Sequence, residues 1–363
     1  MVEAMKLVDQ DSSNSEVAQF YLSFSDMMLR SQHGSQAWRL QSLTDLSELP
    51  DYEEGHFYRN DAGGAPVDAD GNPVFHQQPA SWEAATSDGQ RWRWCLHMAV
   101  EADPKLKSGA AWRFADFLYQ QFGVQTMQQF FTPRAFEDNE DTPQTYALHT
   151  LQENETIAKL ATGVNRFELP DEFNFIKTFQ DLAADQAGEN GEQALHRLAE
   201  IFENRRQYPR AAEYWRESIR RFGAGQNKWK QDRLDQIVRN WGQFETVSTQ
   251  PAGQGATVEF AFRNAMRVDF EAHEIDVEKM LADVKAHLQS NPQQIDNDVY
   301  NFENIGWRIV QENQRKYVKQ RVATWQEKLE PRENHFDKRI TIATPLKTAG
   351  VYLVTAKVDG GNT

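Results

Sequence analysis

Residues 338–357 read Lys-Arg-Ile-Thr-Ile-Ala-Thr-Pro-Leu-Lys-Thr-Ala-Gly-Val-Tyr-Leu-Val-Thr-Ala-Lys. In 339–343 and again in 351–356, β-branched and aromatic residues alternate with polar or small ones, and Pro345 and Gly350 punctuate the join. A period of two buries one face of a strand and cannot bury one face of a helix, so these residues are expected to be a pair of sheet strands. Upstream, to about residue 245, apolar residues recur every three or four positions, the helical period. The expected fold is multidomain, α then β: an irregular helical array at 1–130 and 146–246, then an antiparallel β-sandwich at 257–363. The turn residues 359–363 point toward a further strand, so the chain is expected to be a piece of something longer.

Bulk properties narrow the function. A chain of 363 residues can bury two or three separate cores, and 39% hydrophobic with 12% aromatic residues is enough to pack them despite a mean hydropathy of -0.74. The net charge of -15 argues against nucleic acid or an anionic membrane as partner, because phosphate binding needs a concentrated basic face. The most basic run, 205–221, interleaves Glu213 and Glu217 among its arginines and reads as a solvated helix face. No window offers the roughly 18 continuous apolar residues that span a bilayer, and the N-terminus lacks a signal peptide's apolar run. A lone cysteine, Cys95, can make no internal disulfide or metal cluster and reads as a buried small hydrophobe.

Taken in order, Val17, Phe20, Tyr21, Phe24, Met27 and Met28 mark an amphipathic helix over 16–30. A hairpin-containing insertion falls at about 50–80. There, Asp68-Ala-Asp-Gly-Asn72 has carboxylates spaced as in a calcium loop, but Gly71 is misplaced and the twelfth-position Glu is missing, so an Asp-Gly hairpin between 65–67 and 73–75 is expected. Asp88 is expected to cap a helix with Trp92, Cys95, Leu96 and Ala99 on one stripe. A second helix carrying Ala111, Phe114, Ala115, Leu118 and Phe122 is expected to pair with it as a hairpin. The polar segment 131–145, with its acidic run at 137–141, reads as a boundary loop. Short helical pieces are expected over 146–161, and Pro170 is expected to open a helix with Phe175, Ile176, Phe179, Leu182 and Ala183 inward.

Residues 193–223 carry the sharpest helical signal. A tetratricopeptide repeat sets large, small, aromatic, small, aromatic and small residues at fixed places on two antiparallel helices, the small ones allowing close approach. Leu195, Ala199, Phe202, Ala211, Trp215 and Ser218 fill those places, so this stretch resembles one such repeat. The helix expected over 233–244 would be an irregular neighbour. Arrays of this kind bind peptides in a groove, here placed at Phe202, Arg206 and Trp215, or act as spacers.

Past the linker 249–255, Val258, Phe260 and Phe262, then Val268, Phe270 and Ala272, alternate with polar residues as if in a hairpin. Asp276 is expected to cap a helix with Val277, Met280, Leu281, Val284 and Leu288 on one face, stopped at Asn291-Pro292. A connecting segment over 299–317 leads to a strand over 322–329.

Three stretches together resemble the large bacterial alpha-2-macroglobulin-like proteins: 259–281, with Arg263-Asn264 and then Ile275-Asp276-Val277; 325–337, with Glu330-Pro-Arg-Glu-Asn-His-Phe-Asp337; and 344–354, with Pro345-Leu346 and Gly350-Val-Tyr352. Trp38-Arg-Leu-Gln and Asp51-Tyr-Glu-Glu are similar too. The resemblance implies that 257–363 is the family's first macroglobulin-type (MG2) domain, behind a helical front region. It implies a protease trap, an endopeptidase inhibitor in which a bait segment is cut, the chain collapses round the protease and, in many members, a Cys-Gly-Glu-Gln thioester captures it. It also implies an exported, periplasmic or cell-envelope location. This chain departs from the pattern at the thioester, because Cys95 is followed by Leu-His-Met, and no bait segment is visible. The expectation is a non-catalytic scaffold whose partners are proteins, with no cofactor and no metal. The alternative is a free-standing repeat adaptor.

Catalysis at neutral pH needs groups that converge on one point. His273, in Glu271-Ala-His-Glu274, lacks the second histidine of a zinc-protease helix and reads as a surface residue. His335 and Asp337 could pair on one face of a strand, but no Ser or Cys nucleophile lies near them in sequence. A hydrogen-bonded corner with Arg332 is the expected role.

Overall fold

The structure, a computed structural model, describes Met5 and residues 13–29, 40–43, 64–124, 147–185, 189–245, 249–290 and 315–362. The expectations placed on Trp38, on 51–54, on 131–145 and on 291–314 lie outside the described residues. Helices occupy the front and antiparallel sheets the back, in the expected order. The chain divides into two compact units, 1–231 and 232–363.

The first unit begins with α1 (Asn14–Leu29), α2 (Asp88–Ala102) and α3 (Lys107–Phe122). In α1 the buried stripe is Ala18, Tyr21, Leu22 and Phe24, rotated from the expected one, and Met27 is exposed. Helix α2 meets α3 as expected, with the rings of Trp92 and Phe117 4.7 Å apart, but packs more extensively on α1, through the edge-on rings of Tyr21 and Trp94 at 5.4 Å. Ser87, not Asp88, caps α2, its side chain accepting from the Gln90 amide. On α2, Trp92, Cys95, Leu96 and Ala99 are buried as expected. Asp68 Oδ1 accepts from the amides of Asp70 and Asn72, and Val67 bridges Pro73, so the expected tight turn forms.

Residues 147–161 are not α-helical. After one 3-10 turn they form β1 (Glu155–Leu160), paired in a hairpin with β2 (Gly163–Glu168). Thr156, Ile157 and Ala158 are buried in succession and Leu160 beyond them, a pattern whose period is neither two nor 3.6. Pro170 opens a 3-10 turn (Asp171–Phe173), and Asn174 caps the α-helix that follows, α4 (Phe175–Ala184), whose five expected residues all face inward. Next come α5 (Gly191–Asn204) and α6 (Tyr208–Phe222), whose facing surfaces bury Leu195, Ala199, Phe202, Ala211, Trp215 and Ser218.

Helix α7 (Trp229–Val238) stops earlier than the 233–244 reading, and Trp241–Phe244 is a strand, β3. Leu234, Ile237 and Trp241 fit a helical stripe by spacing, but β3 takes a place in a sheet that supplies its backbone partners.

In the second unit, β4 (Thr257–Arg263) and β5 (Arg267–Ile275) are not a hairpin. The order of one sheet is β3-β4-β7, with β7 at Lys338–Ala343; the other is β6-β5-β8, with β6 at Val318–Lys328 and β8 at Tyr352–Val358. β4 and β5 therefore enter opposite sheets, and so do β7 and β8. Val258, Phe260, Phe262 and Ile342 from one sheet meet Val268, Phe270, Ala356 and Val358 from the other in one core. Asn264, at φ 60°, makes the crossing, and buried Ala265 follows it. Helix α8 (Val277–Gln289) is capped by Asp276 as expected, but only Met280 of its face is buried; Leu281 and Leu288 are exposed.

At Gly242 of β3 an added Cβ would lie 2.5 Å from Phe260 Cζ and 2.7 Å from Val358 Cγ2. Gly242→Ala is expected to destabilise the protein by about 1–3 kcal/mol through overpacking, read as a lower urea midpoint of the full chain.

Candidate functional site

Three clusters gather groups with chemical potential, and each is tied into the fold. The first is the α5–α6 pair. Phe202 is 0% and Trp215 1% exposed, so both belong to the helix–helix core; Arg206 alone of the expected groove residues is exposed. Trp215 donates its indole N–H to Glu203, and Phe202 stacks on Tyr214 with centroids 5.4 Å apart. A groove lined by these two aromatic rings is therefore not formed. What makes them diagnostic of a helix pair, large rings opposite alanines, is also what buries them.

Beside this core lies Arg205, 0% exposed, which the sequence reading passed over as one arginine of a solvated run. Its guanidinium donates to the carbonyls of Gln152 and Glu155 and so ties the start of the β1–β2 hairpin to the end of α5. Burial pulls its pKa down to about 10, with Glu153 and Glu155 opposing, so it remains a cation at neutral pH. Nothing in its sequence neighbourhood separates it from the exposed Arg206.

The second cluster surrounds His196 of α5, whose Nε2 lies 2.8 Å from Ser218 Oγ and 3.8 Å from Glu192 Oε1. Serine, histidine and glutamate invite a hydrolase reading. The geometry rejects it: the same ring nitrogen faces both serine and carboxylate, whereas a catalytic base needs one on each side. Ser218 is also wholly buried.

The third cluster is the corner at 332–337. It is not a strand: Asn334 and His335 have φ 57° and 61°. His335 Nδ1 lies 2.8 Å from Asn264 Oδ1, while Asp337 accepts from Arg263 Nε at 2.7 Å and its carbonyl from Arg332. The histidine and the carboxylate serve different partners, and the expected structural corner is what they build. Asn264 Nδ2 donates in turn to the carbonyls of Ile237 and Arg239, so one side chain joins the end of α7, the sheet crossing and the corner. His273 of β5 stands opposite Arg321.

The sheet rims are the remaining candidates. On β3 the backbone of Gly242 is occupied on both sides of its peptide by the Asn362 carboxamide, N–H to Oδ1 at 2.9 Å and O from Nδ2 at 2.6 Å. Residues 359–362 thus turn back on the sandwich instead of leading away from it. The outer rims of β6 and β7 meet no further strand among the described residues. The register of β6 against β5 slips twice, around His273, and such bulges bend an edge strand and hinder pairing with another.

Cys95 is buried and its thiol is pushed up to about 12 by that burial, the state of a packed side chain rather than a nucleophile. Among the described residues no group of three or more metal-ligating side chains converges, and no helix is long and apolar enough to cross a membrane. Comparison with protein-family models, with curated proteins and with solved structures finds no match to this chain.

Two predictions follow from these placements. Phe202→Ala and Trp215→Ala are each expected to cost about 3–5 kcal/mol of stability, as core truncations do, where Arg206→Ala costs far less; chemical denaturation separates the two kinds. His76, 6% exposed and packed on Gly89, has its pKa lowered to about 4 by burial and by the nearby Arg93. Between that value and the ordinary 6.5 the unfolded chain takes up a proton that the folded chain refuses. Stability from this group is complete above the upper value and lost as pH falls toward the lower, by on the order of 3 kcal/mol. His76→Gln is expected to flatten that slope in urea titrations taken across the window.

Proposed function

We propose that this chain is the N-terminal scaffold part of an alpha-2-macroglobulin-like endopeptidase inhibitor, and that its own residues are non-catalytic. One observation carries the reading: strands on either side of Arg263-Asn264 enter opposite sheets around a shared aromatic core, behind a helical front unit. That arrangement is what a macroglobulin-type sandwich after a tetratricopeptide-like region requires. It also fits the three stretches that resemble the family. The histidine clusters support a non-catalytic role, since the ring nitrogens named above are held by Asn264 and Ser218. In this reading the partners are proteins, reached through domains beyond these residues, and the location is the cell envelope or periplasm.

The adaptor reading draws on the six buried positions of the α5–α6 pair. It needs a binding surface other than Phe202 and Trp215, which are enclosed.

The test is a protection assay on the protein expressed from its whole natural reading frame and incubated with an endopeptidase. A trap suppresses cleavage of a large protein substrate while hydrolysis of a small chromogenic peptide continues. Undiminished cleavage of both substrates by a panel of endopeptidases, or a frame encoding no further sandwich domains, would overturn the proposal.

A further inference from the structure

The first turn of α7 is held against α5 and α6 by groups that converge on His196. Glu192, one turn before His196 on α5, accepts through Oε1 from Nζ of Lys230 on α7, and Lys230 is 1% exposed. The same carboxylate oxygen is the one 3.8 Å from His196 Nε2. Trp215 of α6 and Trp229 of α7 pack on the imidazole with centroids 5.5 and 5.1 Å away, Trp229 edge-on. The charged groups facing the ring are thus Glu192 from α5 and Lys230 from α7; α6 contributes the neutral Ser218 hydroxyl and an indole.

As it stands, one carboxylate serves one enclosed ammonium. A proton on His196 would add a second cation beside that single anion, on a partly enclosed ring where water screens the charges incompletely. The imidazolium competes for the oxygen that Lys230 uses and repels the ammonium itself. We propose that the His196–Glu192–Lys230 cluster is a proton-sensitive latch, closed while His196 is neutral, that frees the first turn of α7 when His196 is protonated. Burial first, and then the Lys230 charge, lowers the proton affinity of His196, with Glu192 partly offsetting them. The released form therefore binds the proton more readily than the docked form, and by linkage acid favours release. Docking is complete above the ordinary histidine range and weakens as pH falls through it.

Amide hydrogen exchange of 229–233 in the full chain tests this at about pH 7.5 and about pH 5, either side of the histidine range, with intrinsic rates corrected. Opening of this turn is expected to rise several-fold at the lower pH while α5 stays protected, and His196→Gln is expected to abolish the rise. Equal opening at both pH values, or a rise that persists in His196→Gln, overturns the latch. Should that variant fail to fold by circular dichroism, Lys230→Met takes its place: removing the competing cation must also abolish the rise, and persistence of the rise again overturns the proposal.

Discussion

The crossing at Asn264 is the constraint on which the second unit depends. A strand that ended at Arg263 and turned straight back would pair β5 with β4 and leave one flat sheet with an uncovered apolar face. Instead Asn264 takes up φ 60°, a left-handed conformation that asparagine tolerates better than most side chains, and the chain steps over into the other sheet. Its carboxamide then has three partners: two carbonyls at the end of α7 accept its N–H groups, and the oxygen meets His335. Hydrogen bonds on both ends of one side chain fix the crossing against the helix before it and the corner far along the chain. With the crossing set, Phe260 and Phe270 face each other edge-on at 5.6 Å and the core closes around them.

In the helical unit the corresponding task falls to enclosed cations. Arg205 and Lys230 are both withdrawn from water, and each compensates its lost hydration differently. Arg205 uses the planar fork of its guanidinium on two backbone carbonyls and so joins hairpin to helix. Lys230 uses a point charge on one carboxylate that is itself half in solvent, a simpler arrangement and one more open to competition. That difference is why the lysine site, rather than the arginine site, responds to a neighbouring proton.

The proposed scaffold role is consistent with where polarity goes in this molecule. His335, Asp337 and His196, which catalysis could have used, serve a corner and a helix junction. The outer rims of β6 and β7 meet no further strand among the described residues, and Leu281 and Leu288 of α8 are exposed.

The order of helix before sheet, the inward faces of α2, α4, α5 and α6, the Asp68 turn and the Asp276 cap were legible in the residues, because each depends on spacing and side-chain chemistry within one or two turns of chain. The hairpin at 155–168 and the strand at 241–244 were not: the buried run at 156–158 has no regular period, Trp241 continues the helical spacing of Leu234 and Ile237, and the strand state of both segments comes from the partners that pair with them. Alternation in 258–262 and 268–272 determined that both would be strands. It could not determine that they belong to different sheets, since a turn and a crossing differ only in what lies on the far side. Likewise the pattern around Phe202 and Trp215 specified a helix pair, and only the packed pair decided that those rings face inward. Local periodicity is written in the sequence; the pairing of distant strands and the burial of a single arginine among many are settled by tertiary contacts that no short window contains.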